Sequence, residues 1–264
     1  MSQVIFCKTR YQDHGYQSYN DFFKLVELAG YPLIYVDQID TSTDNTYIFT
    51  PMNGECVNGW PIGKAQIILW QMEWQITDEH NTPPGVTRVW CPDAWFAQKQ
   101  GYEYVPIGSD VRLCEATDDY IPKQYDVSFL SYQTPRRQFI TQQCKSHGLT
   151  IAPNSGLHGY ARSVVLLQSR LMMHIHQHDT IPGIAALRWA LAATHRMPLL
   201  TESVANYGIF NYKYMMQARY GTIAEFAQSL MMDENRYMLD DYAAQLYQLL
   251  CVEKTFAKVV NANV

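Results

Sequence analysis

Short apolar runs of strand length recur along this chain, separated by helix-length stretches, and that alternation constrains the fold more than any other feature. Residues 3–7, 33–36 (LIYV), 46–49 (TYIF), 66–70 (QIILW), 88–91 (RVWC) and 102–108 (YEYVPIG) read as strands. Residues 16–29 read as a helix: Phe22, Phe23, Leu25, Val26 and Leu28 form a broad apolar face, and Gly30 supplies a stop. A shorter helix ends at Gly101. Strands this apolar are covered on both faces. Separated by helices, they build βαβ units around a largely parallel sheet.

Residues 111–124 break the pattern with ATDD and a proline, and read as a linker. The alternation then restarts. Strands are expected at 125–132, 149–153, 171–176 and 197–202, with helices at 136–147, 159–170 and 183–195. The tail from 222 to 256 reads as helical throughout, with Phe226, Leu230, Leu239, Tyr242, Leu246 and Leu249 near helical spacing. The 264 residues therefore divide into two α/β units, 1–118 and 119–264. Ligands of open parallel sheets lie beyond the carboxyl ends of the strands, so two such units place a site in the cleft between them.

A hydrophobic share of 47% excludes a disordered chain. The balance of 20 Lys and Arg against 25 Asp and Glu argues against a generally basic nucleic-acid coat. The six cysteines are scattered, none in a CxxC pair, and several sit in apolar runs, as buried reduced thiols do. No stretch approaches the ~18 apolar residues that span a bilayer, and the amino terminus lacks a signal-like pattern. The expectation is a soluble cytoplasmic protein.

Chemistry should lie in the loops after strands. Arg136 and Arg137 follow the strand at 125–132 and open a helix, whose free N–H groups suit an anion; they read either as a diphosphate clamp or as solvated arginines. Glu202 ends a strand and suits either a ribose hydroxyl or an ordinary cap or surface role. Arg188 lies in an otherwise apolar helix, as a snorkelling cation or a buried anion partner. His174, His176 and His178 alternate, which hints at a metal, yet only Asp179 stands near them and no ligand set is completed. In the first unit, Asp13 follows the first strand and Glu73 follows the fourth among apolar and aromatic neighbours; either suits a general base or plain loop polarity. There is no GxGxxG, no P-loop and no GxSxG elbow, which disfavours classical NAD enzymes, P-loop ATPases and α/β-hydrolases.

Three runs, YDVSFLSYQTPRRQFI (125–140), GYARSVVLLQSRLMMHIHQHD (159–179) and LRWALAATHRMPLLTE (187–202), together resemble the nucleotide-binding half of GT-B glycosyltransferases. The spore-maturation-type group and its phage and bacterial relatives are the nearest match. The corresponding residues are Asp126 to Phe129, Arg136, Arg137, Ser169-Arg170-Leu171, Ile175-His176, Arg188 and Pro198 to Glu202. In the first unit, Trp70-Gln71-Met72-Glu73 and Val105 to Asp110 resemble the family more weakly. The chain departs from the pattern at His174, where an asparagine is usual, and at Thr201, where serine is.

The resemblance implies two Rossmann-like parallel-sheet domains facing a cleft, with a C-terminal helix that crosses back. It also implies a metal-independent transfer of sugar from a nucleoside diphosphate donor, UDP-sugar foremost, to an acceptor hydroxyl. Glu202 would bind the donor ribose, Arg136, Arg137 and Arg188 would face the diphosphate, and His176 would sit at the cleft. The acceptor could be a glycan, a small metabolite or a hydroxymethylated base in phage DNA, for which Lys8, Arg10, Lys64, Arg88 and Lys99 could form a rim. Two other functions fit the same fold: a nucleotide-sugar binder without turnover, and a nucleotide-sugar epimerase.

Overall fold

The computed structural model describes residues 2–13, 17–51, 59–72, 82–116, 121–130, 132–153, 157–177, 183, 185–206, 208–210 and 215–264, with backbone alone for Tyr11, Asp13 and 17–19. The first sheet comprises β1 (Val4–Lys8), β2 (Leu33–Tyr35), β3 (Thr46–Phe49), β4 (Gln66–Trp70), β5 (Arg88–Cys91) and β6 (Glu103–Tyr104). Its order is β2-β1-β3-β4-β5-β6, and every neighbouring pair is parallel. All four residues of β3 are buried, as expected for a strand covered on both faces. Helix α1 (Gln17–Leu28) packs Phe22, Leu25 and Val26 against Phe6, Ile48, Ile68 and Trp70. Helix α2 (Ala94–Gln100) starts where the Asp93 carboxylate accepts from the Phe96 N–H, and ends at Gly101 with φ 70°.

The second sheet holds β7 (Tyr125–Ser128), β8 (Ser169–His174), β9 (Leu199–Glu202) and β10 (Met216–Ala218), all parallel, in the order β10-β9-β8-β7. The helices described in this half of the chain are α3 (Pro135–Ser146), α4 (Gly159–Leu167), α5 (Ala186–Thr194), α6 (Ile223–Leu230), α7 (Arg236–Tyr247) and α8 (Phe256–Asn263), with a π-helical turn at 248–253. Two Rossmann-like sheets thus face each other across a cleft, with helices at the carboxyl end of the chain.

The structure departs from the sequence reading in several places, beginning with β6 and β7, which stop at Tyr104 and Ser128, short of the expected 108 and 132. Strand β8 starts two residues early: Ser169 pairs with Tyr125, and its hydroxyl donates to the Val165 carbonyl, so Ser169-Arg170 belong to the strand and not to the helix before it. The segment 149–153 makes one parallel bridge, Ile151 to Val127, and stops at Pro153, which has no N–H to extend a ladder. Strand β10 lay unsuspected, since Met-Gln-Ala carries no β-branched residue. The tail is not one helix, because 3-10 residues Asp233–Asn235 and then Thr255 interrupt it.

The C-terminal segment returns to the first unit. The Ser109 N–H donates to Leu250, its carbonyl accepts from the Phe256 N–H, and its hydroxyl bonds Thr194 and Ala190 of α5. A Cβ on Gly108 would collide with the backbone of 254–256, so glycine is required by this close approach. Helix α8 then seats Phe256 among Phe6, Phe22 and Trp70, with ring centroids 5.6–5.9 Å apart. A second tie is a bidentate ion pair, Arg162 of α4 to Asp21 of α1, both bonds 2.6 Å and both residues buried.

Removing one member of a buried pair strands the other charge, at about 3–5 kcal/mol. Asp21→Ala is therefore expected to lower the urea midpoint sharply, whereas the double change Asp21→Leu with Arg162→Met recovers most of the loss.

Candidate functional site

Each strand of the second sheet contributes something at its carboxyl end. Beyond β7, Thr134 caps α3 by accepting from the Arg137 N–H, and Pro135 takes the first helical position, where a missing N–H costs nothing. This places Arg136 and Arg137 in the first turn of α3. Beyond β8 lie Ile175 and His176; Glu202 is the last residue of β9; Tyr220 follows β10.

Arg136 is the centre of the group. Its guanidinium forks onto Glu202, Nη1 to Oε2 at 2.6 Å and Nη2 to Oε1 at 2.5 Å, and Nη1 also reaches the His176 carbonyl at 3.2 Å. The ring of Tyr220 lies 3.8 Å from the guanidinium carbon, and its hydroxyl donates to the Arg136 carbonyl at 3.0 Å. The His176 N–H donates to Glu202 Oε2 at 3.2 Å. The structure thus brings Arg136, His176 and Glu202 together.

Arg137 turns the other way. It is 3% exposed, and its guanidinium donates to the carbonyls of Ile175 and Tyr132, pinning the loops beyond β7 and β8 to each other. Burial, then the neighbouring Arg136, pulls it down to about 10, so it stays charged at neutral pH. Arg188 donates through Nε to the Leu130 carbonyl and through Nη1 to His174 Nδ1 at 2.8 Å. Since a guanidinium only donates, that contact makes Nδ1 the acceptor and puts the His174 proton on Nε2.

The two histidines are 5.5 Å apart, centroid to centroid. Burial holds both below the usual imidazole range, with Arg188 the next cause for His174. Among the described residues the site therefore carries three guanidiniums against one carboxylate, a surplus of positive charge in a half-buried setting. Nε2 of His176 is buried and meets no hydrogen-bond partner among the described residues. Such an atom is costly to leave unsatisfied, so a polar group or a water is expected beside it.

Among the described residues, no group of three His, Cys, Asp or Glu stands ready to hold a metal, and no helix is long and apolar enough to cross a membrane. His178, Asp179, Glu73 and the Asp13 side chain lie outside the described residues. The backbone of Asp13 ends a 3-10 turn beyond β1. Gln12 anchors that turn on the carboxyl edge of the first sheet, accepting from the Thr9 N–H and donating to the Thr50 carbonyl beyond β3. Of the proposed cationic rim, Arg10 pairs with Asp37 and Arg88 with Glu103, and Lys64 and Arg88 lie at the amino ends of β4 and β5, away from the expected binding edge.

Tyr220 carries no signal in the sequence, because the strand before it, Met216–Ala218, has no β-branched residue and the helical pattern starts only at 222. Asp21 and Arg162 are 141 positions apart, with no local signal to join them.

No family model matches the chain. Two proteins of Acanthamoeba polyphaga mimivirus are similar to parts of it: uncharacterized protein L137, 28% identical over 109 residues, and uncharacterized protein L140, 30% identical over 98. These matches cover 40% and 36% of this chain but only 14% and 31% of those proteins. Among solved structures, AviGT4, a glycosyltransferase involved in avilamycin A biosynthesis, superposes with a TM-score of 0.67 at 10% identity, covering 99% of this chain and 96% of that one. An α1,3-fucosyltransferase with GDP-fucose gives 0.51 at 11% identity, covering 98% and 88%. TarM gives 0.50 at 10% identity, covering 86% and 55%. The fold is that of GT-B proteins: two parallel sheets, each flanked by helices, with helices at the carboxyl end.

Burial also holds His195 at about 4. His174, His176 and His195 all bind protons more weakly folded than unfolded. Their stabilising effect is complete above about pH 6.5 and drains away as pH falls toward the folded values, at about 1.4 kcal/mol per unit for each histidine that stays neutral. Unfolding measured from pH 7.5 to 5 should show steady loss, and His195→Gln should flatten that slope.

Proposed function

We propose that this protein is a metal-independent glycosyltransferase that moves a sugar from a nucleoside diphosphate donor, UDP-sugar foremost, to an acceptor hydroxyl. The observation that carries the reading is the meeting of Arg136, Glu202 and His176, whose Nε2 meets no partner among the described residues, at the start of α3. It lies on the ligand-binding edge of a sheet whose fold is shared with glycosyltransferases of known structure. The order of the sequence motifs favours the spore-maturation-type group. Residues 119–264 would hold the donor and residues 1–118 the acceptor. Buried free thiols at Cys7, Cys91, Cys144 and Cys251 suit the reducing cytoplasm, where this reading places the protein.

In the reaction, Asp13 or Glu73 takes the proton of the acceptor hydroxyl as its oxygen bonds to the anomeric carbon. The bond from that carbon to the diphosphate oxygen breaks, and the electron pair leaves with the diphosphate. Arg136, beside the N–H groups that open α3, stabilises the charge that develops there. Glu202 offers its carboxylate lone pairs to a ribose hydroxyl as Arg136 turns to the diphosphate. Arg188 and Arg137 add positive charge from behind. The pairing of Arg10 and Arg88 with acids favours a glycan or small-molecule acceptor over DNA.

The direct test is incubation with UDP-, GDP-, ADP- and dTDP-sugars plus candidate acceptors, reading product mass. Release of one nucleoside diphosphate with a matching gain of sugar mass on the acceptor is expected; no turnover across the panel counts against the reading. Arg136→Ala should weaken diphosphate binding by tenfold or more, the scale of a lost charge-assisted bond, as measured by calorimetry. Glu73→Gln or Asp13→Asn should abolish turnover and leave donor affinity within about twofold. Full activity in both variants would place the base elsewhere.

A further inference from the structure

Tyr220 lies outside every motif that pointed to the site, yet it touches the centre of it. Its ring faces the Arg136 guanidinium at 3.8 Å. Its hydroxyl donates to the Arg136 carbonyl. It also stacks on Phe139, one turn along α3 from Arg136, at 6.1 Å with planes 26° apart. A single residue of the turn beyond β10 therefore grips the first turn of α3 by ring, hydroxyl and stacking.

A guanidinium has two recognition surfaces. Its edge carries the N–H groups, which take carboxylate and phosphate in the guanidinium plane, while its faces accept aromatic rings. In this site the edge meets Glu202 and the His176 carbonyl, and a face meets Tyr220. An incoming diphosphate competes with Glu202 for the same edge. When the fork loosens, the ring still holds the guanidinium from 3.8 Å, because Tyr220 does not compete with the diphosphate for the N–H groups. Without the ring, a long side chain freed from Glu202 regains its rotamers, and the ordering cost returns to the binding step.

We propose that Tyr220 is the positioning residue for Arg136, holding its guanidinium plane on the diphosphate of a nucleotide donor while Glu202 exchanges partners. This rests on the donor-site reading above and adds to it the residue that orients the cation.

The test is calorimetry of UDP, GDP, ADP and dTDP, and of the matching monophosphates, with wild type, Tyr220→Leu, Tyr220→Phe, Arg136→Ala and the Arg136→Ala/Tyr220→Leu double variant. Tyr220→Leu should weaken diphosphate binding about three- to tenfold, and the monophosphate less, the range expected for loss of a half-buried cation–π contact. Tyr220→Phe, which keeps the ring, should restore most of that affinity. In the Arg136→Ala background, Tyr220→Leu should have no further effect, since the residue acts through that arginine. Additive losses, or equal losses for di- and monophosphate, would overturn the proposal, because general damage to the turn behaves in that way. Unchanged diphosphate affinity in Tyr220→Leu overturns it alone. Wild type that binds no nucleoside diphosphate overturns the donor-site reading, and this inference with it.

Discussion

The backbone of 254–256 lies so close to Gly108 that no side chain fits between them, and the relation of the two sheets depends on that contact. Ser109 completes it by exchanging backbone hydrogen bonds with Leu250 and Phe256 while its hydroxyl reaches α5. The return carries α8 onto the first sheet, where Phe256 becomes part of the aromatic core around Phe22 and Trp70. A helix late in the chain thus shares a core with its first strands. With the buried Asp21–Arg162 pair as a second tie, the facing of the two carboxyl edges follows from packing and not from the linker alone.

The site obeys one electrostatic rule: a cation taken from water needs an oxygen or a ring for each direction it has lost. Arg137, the more deeply buried of the pair, is met by backbone carbonyls and becomes part of the scaffold. Arg136, half-buried one residue earlier, is met by the Glu202 carboxylate. Adjacent arginines at a helix start therefore divide into one held by backbone carbonyls and one held by a carboxylate. The neutral histidines beside them keep the excess charge on the guanidiniums.

Much of the fold was legible because fully buried parallel strands advertise themselves. TYIF, QIILW and RVWC became β3, β4 and β5 with their expected ends. What failed was pairing-dependent. Met216–Ala218 forms a strand only because β9 offers it an edge, and Ser169 joins β8 because Tyr125 lies opposite. The site was legible in type at Arg136 and Glu202, whose places at a helix start and a strand end carry chemical meaning. It was not legible in detail. Nothing in the spacing says that the two would fork onto each other, that Arg137 would turn inward, or that Tyr220 would cover the guanidinium from another strand end. Most of those outcomes are set by contacts between residues 38 to 84 positions apart.

On the function proposed above, the four carboxyl ends of the second sheet form one diphosphate site centred on Arg136. A crystal structure with a bound nucleoside diphosphate tests it most directly. The account predicts phosphate oxygens at the opening of α3 within hydrogen-bond distance of Arg136, with a ribose hydroxyl on Glu202. A nucleotide bound elsewhere, with the Arg136–Glu202 fork untouched, would contradict it.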